Sequence, residues 1–180
     1  MNSLNPTTLD PNVFNTVMLA VRIVVGATMF VHGYNKMFRG GKIAGTARWF
    51  EGLGMRPNGT VHAYVSSLTE MGTGVLMVAG LLVPLAAAGI VGIMVVAGFT
   101  DHRGKFLMFK NGCEYVLVLG TLTALIGAFG GGEWSLDHVT GLADTLQKGW
   151  TGLAIALGLG LGSGALTLLL FHRPPAPAGD

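Results

Sequence analysis

Five apolar segments, near 14–38, 61–83, 85–102, 112–130 and 150–171, leave this chain few ways to fold. Each is close to the 20 or so residues that a helix needs to cross a hydrocarbon core about 30 Å thick. Inside such a core every backbone amide must be satisfied within its own segment, which selects helices over open strands. The expected fold is therefore all-α, an integral membrane helical bundle. Charged residues are 11% of the chain, against roughly 25% in soluble domains. Glycine, 29 of 180 residues, suits helices that pack through small side chains.

The connections divide the chain into a short N-terminal segment (1–13), a bundle (14–148), an additional transmembrane helix (149–172) and a tail (173–180) expected to be disordered. Residues 1–13 carry no Lys or Arg, so the first apolar segment is expected to stay as a membrane helix rather than leave as a secretory signal. Pro84 in "LLVPLAA" predicts a tight turn between the second and third segments. Between the first two, Ile43, Ala47, Phe50 and Leu53 recur at helical spacing around Arg48 and Glu51. That pattern predicts an amphipathic helix in the interface near 43–54.

Cations set the expected orientation. The first connection holds Arg39, Lys42, Arg48 and Arg56, and the third Arg103, Lys105 and Lys110. The segment before Arg22 has none. The excess of Lys and Arg places those two connections in the cytoplasm, the N-terminus outside and the C-terminus inside a cell membrane. Tyr34, Tyr64, Tyr115, Trp134 and Trp150 near segment ends, and Trp49 in the interfacial stretch, suit the aromatic belts. A net charge of +2 is too small to indicate nucleic acid, and the single Cys113 excludes an internal disulfide or a cysteine metal cage.

Ionisable groups inside a membrane segment need a partner or a function. Arg22 and Glu70 fall at similar expected depths, which predicts a buried ion pair. Arg22, Gly26, Met29, Gly33 and Lys36 share one helical face, and Ser66, Glu70, Gly74 and Met77 another. His32, Lys36, His102 and Glu114 lie at the cytoplasmic ends of their segments, with Glu70 deeper. The six residues Arg22, His32, Lys36, Glu70, His102 and Glu114 form the candidate ligand-binding set, with no metal site and no assigned catalytic residue. The structural alternative is that Lys36 snorkels and His32 caps helix carbonyls.

Arg22 and Gly26, "HGYNK", "WFEGLG", "EMGTGVLMVAGLLVPLAA", "DHRGKF", "NGCEY" and "GGGEWSLD" together resemble the DoxX family of small bacterial and archaeal membrane proteins, over roughly 14–137. The resemblance implies a four-helix membrane core, so the fifth segment is an addition, expected to be accessory or partner-binding. Named members are subunits of a terminal quinol oxidase or of thiosulfate:quinone oxidoreductase, and others are associated with quinone or thiol oxidative stress. The resemblance thus implies an auxiliary subunit of a membrane oxidoreductase and a redox partner, without an assigned mechanism.

A quinone needs donors for its carbonyls and an apolar cleft for its tail, which His and Glu near an interface and glycine-lined helices supply. Three other readings remain at this point: a structural scaffold, a small-solute transporter, and a b-haem protein with His32 and His102 as axial ligands. "GLGLGSG" (158–164) lies inside an apolar span, so it reads as GxxxG helix contacts and not a phosphate loop. Cys113, beside Glu114, reads as a packed cysteine.

Overall fold

The computed structural model describes residues 10–104, 106–110 and 112–174, so residues 1–9 and the end of the expected disordered tail, 175–180, lie outside it. Among the described residues there is no strand, and the isolated bridge between Met55 and His172 is the β-type contact. Helix α1 spans Pro11–Phe38, α2 Lys42–Gly52, α3 Gly59–Ala79, α4 Val83–Thr100 and α5 Glu114–Phe129. Two single turns, α6 (Leu136–Val139) and α7 (Ala143–Leu146), lead into α8, Thr151–Phe171. Helices α1, α4 and α8 are each long and apolar enough to cross a membrane. Helix α3 is as long as α8 but carries His62 and Glu70, and α5 is apolar and shorter, at 16 residues. This is a multi-pass helical membrane protein.

Side-chain caps start α1 and α3. The Asp10 carboxylate accepts from the Asn12 amide with Pro11 in the first turn, and the Asn58 side chain accepts from the Thr60 amide. The amphipathic segment is helical as expected, burying Ala47 and Phe50 while Arg48 stays exposed.

A tight turn joins α3 and α4 as expected, but it lies at 80–82, just before Pro84. Pro84 does not make it; Pro84 sits inside the first turn of α4, where a missing N–H costs nothing. The chain reverses at Gly80 and Leu82, both left-handed (φ 68° and 51°). Glycine is required at Gly80 twice over, because a Cβ there would also collide with the Arg22 guanidinium. Asp137, fully buried, then caps α4 from a distance. Its two carboxylate oxygens accept from the Leu82 and Val83 amides at 2.7 and 2.9 Å, and Gln147 donates to it at 3.0 Å.

Helices α1 and α3 run antiparallel in close contact. A Cβ on Gly26 would lie 2.6 Å from the Gly74 carbonyl oxygen, and a Cβ on Gly33 2.5 Å from that of Ser67. Helix α4 is the common support for α3, α5 and α8. Of the two glycine pairs expected to make contacts on α8, one does. Gly160 and Gly164 approach Ala88, Val91, Gly92 and Val95, whereas Gly158 and Gly162 face open space.

Asn15 meets Glu133 at one end of the bundle, while the Arg56 and Arg173 amides donate to Phe171 and Gly54 carbonyls at the other. If α1, α3, α4, α5 and α8 all cross, the chain ends lie on opposite faces. With Cys113 replaced by serine, cysteines at Asn12 and Arg173 are expected to label from opposite sides of a sealed vesicle, Asn12 from outside. Labelling of both from one side would remove a span.

Candidate functional site

Glu70, in the middle of α3, is 2% exposed. Its Oε1 takes the Lys36 ammonium and lies 3.4 Å from the Ser66 hydroxyl, and Lys36 Nζ also donates to Ser66 at 2.9 Å. The Thr46 hydroxyl donates to the Lys36 carbonyl, tying α2 to the end of α1. That places Trp49 and Phe50 rings 5.8 and 5.9 Å from Nζ, within cation–π reach. Glu70 Oε2 has no hydrogen-bond partner among the described residues, although it is buried.

The expected Arg22–Glu70 pair is therefore corrected: Glu70 belongs to Lys36. The α1–α3 register gives the reason. Arg22, four residues before Gly26, lies opposite Val78, four after Gly74, while Glu70 lies opposite Phe30. Eight residues along α1 are about 12 Å, too far for an ion pair. Arg22 instead closes the helix end it reaches. Its guanidinium donates to the Trp134 carbonyl at 2.7 Å and lies 3.4 Å from those of Met77 and Val78. With the charge of Asp137 nearby, it belongs to the α3–α4 turn, at the end of the bundle away from Lys36. Lys36 reaches Glu70 because side chains on a helix point back toward its N-terminus.

Helices α3 and α8 both pack on α4 and leave a slot between them, a cavity of about 290 Å³. Its floor is the small-residue face of α4 around Gly89, Gly92 and Ile93, and α8 contributes Ser163, Gly164 and Thr167. Lys36 and Ser66 stand on the α3 side, and Trp49, Phe50, Met55 and His62 line the end nearest α2. That end is tied shut where the loop at 54–56 bonds to the end of α8. His62 bonds the Arg56 carbonyl oxygen at 2.9 Å and packs edge-on against Phe171. The lining is mostly apolar, with Lys36 as its cation and no carboxylate among the lining residues.

The other expected residues have their own surroundings. His32 is exposed and stacks on Tyr115, with Nε2 3.3 Å from the phenol oxygen. His102 follows the end of α4 with Nε2 3.7 Å from Asp101, and Glu114 opens α5, its amide donating to the Phe106 carbonyl. His32 and His102 thus engage different residues. Sequence reasoning missed Trp49, Phe50, His62 and Ser163 as lining residues. Ser66 carried a signal, because it shares the helical face of Glu70.

Compared with known proteins, the family model DoxX matches residues 17–103, from within α1 to just past α4. The match is narrower than the 14–137 expected from short motifs and leaves α5 and α8 outside it. No curated protein and no solved structure matches the chain.

Proposed function

We propose that this chain, a DoxX-family membrane protein, is an accessory subunit of a respiratory or thiol-redox complex and holds a quinone in the slot between α3 and α8. The observation that carries the reading is the pairing of Lys36 with Glu70 at the slot's polar wall. Lys36 brings a positive charge to an apolar cavity, and Glu70 behind it cancels that charge. A fatty acid or phosphate head would gain Lys36 but meet the field of Glu70. A neutral carbonyl keeps the ammonium donor and loses nothing to repulsion. Lys36 retains a third proton to donate beyond those directed to Ser66 and Glu70. The α4 floor of glycine and aliphatic residues suits an isoprenoid tail, and the flanking helices let a lipid-soluble ligand enter sideways from the bilayer. The chain positions the quinone, and a membrane redox partner supplies the electrons.

Trp49, at the slot, is the reporter. In nanodiscs, with Trp134 and Trp150 replaced by phenylalanine, a short-tailed benzoquinone is expected to quench Trp49 fluorescence saturably. The paired variant Lys36→Gln/Glu70→Gln removes both charges while keeping size, and is expected to weaken binding about tenfold, the worth of a charged hydrogen bond. Linear quenching, identical in both proteins, would mean that the quinone merely dissolves in the lipid.

A further inference from the structure

We infer that Ser163, on the helix outside the family match, is the second donor of the slot and selects a ligand with two opposed carbonyls, a para-quinone. This rests on the quinone reading above. Two close approaches along α4 fix the depth of Ser163. A Cβ on Gly89 would meet Thr73 at 2.7 Å and Thr69 at 3.7 Å, whereas one on Gly92 would meet Ser163 Oγ at 2.8 Å. Gly92 is three residues, about 4.5 Å, nearer the α2 end of the slot than Gly89. Since α3 and α4 are antiparallel neighbours, Gly92 stands level with the turn of α3 from Ser66 to Thr69. Ser66 is where Lys36 Nζ is held, 2.9 Å from its hydroxyl. Lys36 and Ser163 therefore line opposite walls at about the same depth.

The Ser163 and Thr167 hydroxyls both bond back into their own helix, and the lengths of those bonds show which is more readily displaced. Thr167, one turn along α8, donates to the Ser163 carbonyl at 2.8 Å and is committed. Ser163 Oγ donates to the Gly160 carbonyl at 3.2 Å, a long bond back into its own helix that a ligand carbonyl can replace. Ser163 is an exposed residue and one of those that line the slot, and the glycine at position 92 leaves its hydroxyl room. A para-quinone presents oxygens at opposite ends of one ring, so a donor on each wall holds it across the slot. A ligand with one carbonyl uses Lys36 alone.

The test compares a short-tailed para-benzoquinone with a cyclohexenone bearing the same tail, by Trp49 quenching in nanodiscs. Ser163→Ala is expected to weaken the quinone about tenfold and leave the enone unchanged, and Ser163→Thr to keep most of the quinone affinity. Equal weakening of both ligands would make Ser163 a packing residue and overturn the inference. Unchanged quinone binding in Ser163→Ala would overturn it while sparing the quinone reading. If the unsubstituted slot binds no quinone, both readings fail together.

Discussion

Replacing Lys36 by methionine is expected to cost about 3–5 kcal/mol of stability, because it strands a carboxylate that is almost wholly buried. Glu70 then has to take up a proton or draw in water, and Ser66 alone remains beside it. The converse change, Glu70→Leu, is expected to cost less. Lys36 is 21% exposed at its side chain, and its flexible stem can carry the ammonium toward the interface. The double variant removes both charges and is expected to cost far less than the sum of the singles, since the penalty lies in the uncompensated ion rather than in the bond. Unfolding in mixed detergent micelles measures the four proteins. Arg22→Met combined with Glu70→Leu is the contrasting cycle and is expected to be additive, because the two sites are about 12 Å apart along α1. Strong coupling between Arg22 and Glu70 would mean that the α1–α3 register is wrong by about two turns.

That contrast marks how far the sequence could be read. Apolar length and glycine content were enough for an all-helical membrane bundle, and the 3.6-residue period put Lys36 and Arg22 on the face that meets α3. The period says nothing about how far one helix slides along the next. Two cations on one stripe were therefore equal candidates for Glu70, and estimated depth favoured the wrong one. Helix α1 starts three residues earlier than the apolar pattern suggests, and α3 ends four residues sooner, at Ala79. The partners of Arg22 are backbone carbonyls, which carry no residue-type signal at all. Asp137 escaped for the same reason, because a carboxylate that caps a helix 54 residues away leaves no local motif. The slot was illegible too, since it exists only because α3 and α8 share α4 without closing on each other.

The glycines that set the register carry the second large effect. Gly26→Ala is expected to destabilise by about 1–3 kcal/mol, and Gly26→Leu or Gly33→Leu by more. The obstacle in each case is backbone, which cannot rotate away as a side chain can. A Cβ on Gly26 would sit 2.6 Å from the Gly74 oxygen, and one on Gly74 would sit 2.6 Å from the Gly26 oxygen and 2.7 Å from the Phe30 amide. Relief requires α1 and α3 to separate, and once one methyl group has separated them the second finds room. Gly26→Ala and Gly74→Ala together are thus expected to cost clearly less than their sum. Gly72→Ala on the same helix, with nothing within 4 Å of its Cβ, is the control and is expected to be neutral or slightly stabilising. The same separation draws Lys36 away from Glu70, so loss of quinone binding should track loss of stability across the Gly26 and Gly74 variants. In the Ser163 variants it should not. Full stability of Gly26→Leu in the detergent titration would rule out the close α1–α3 crossing on which the position of Lys36 depends.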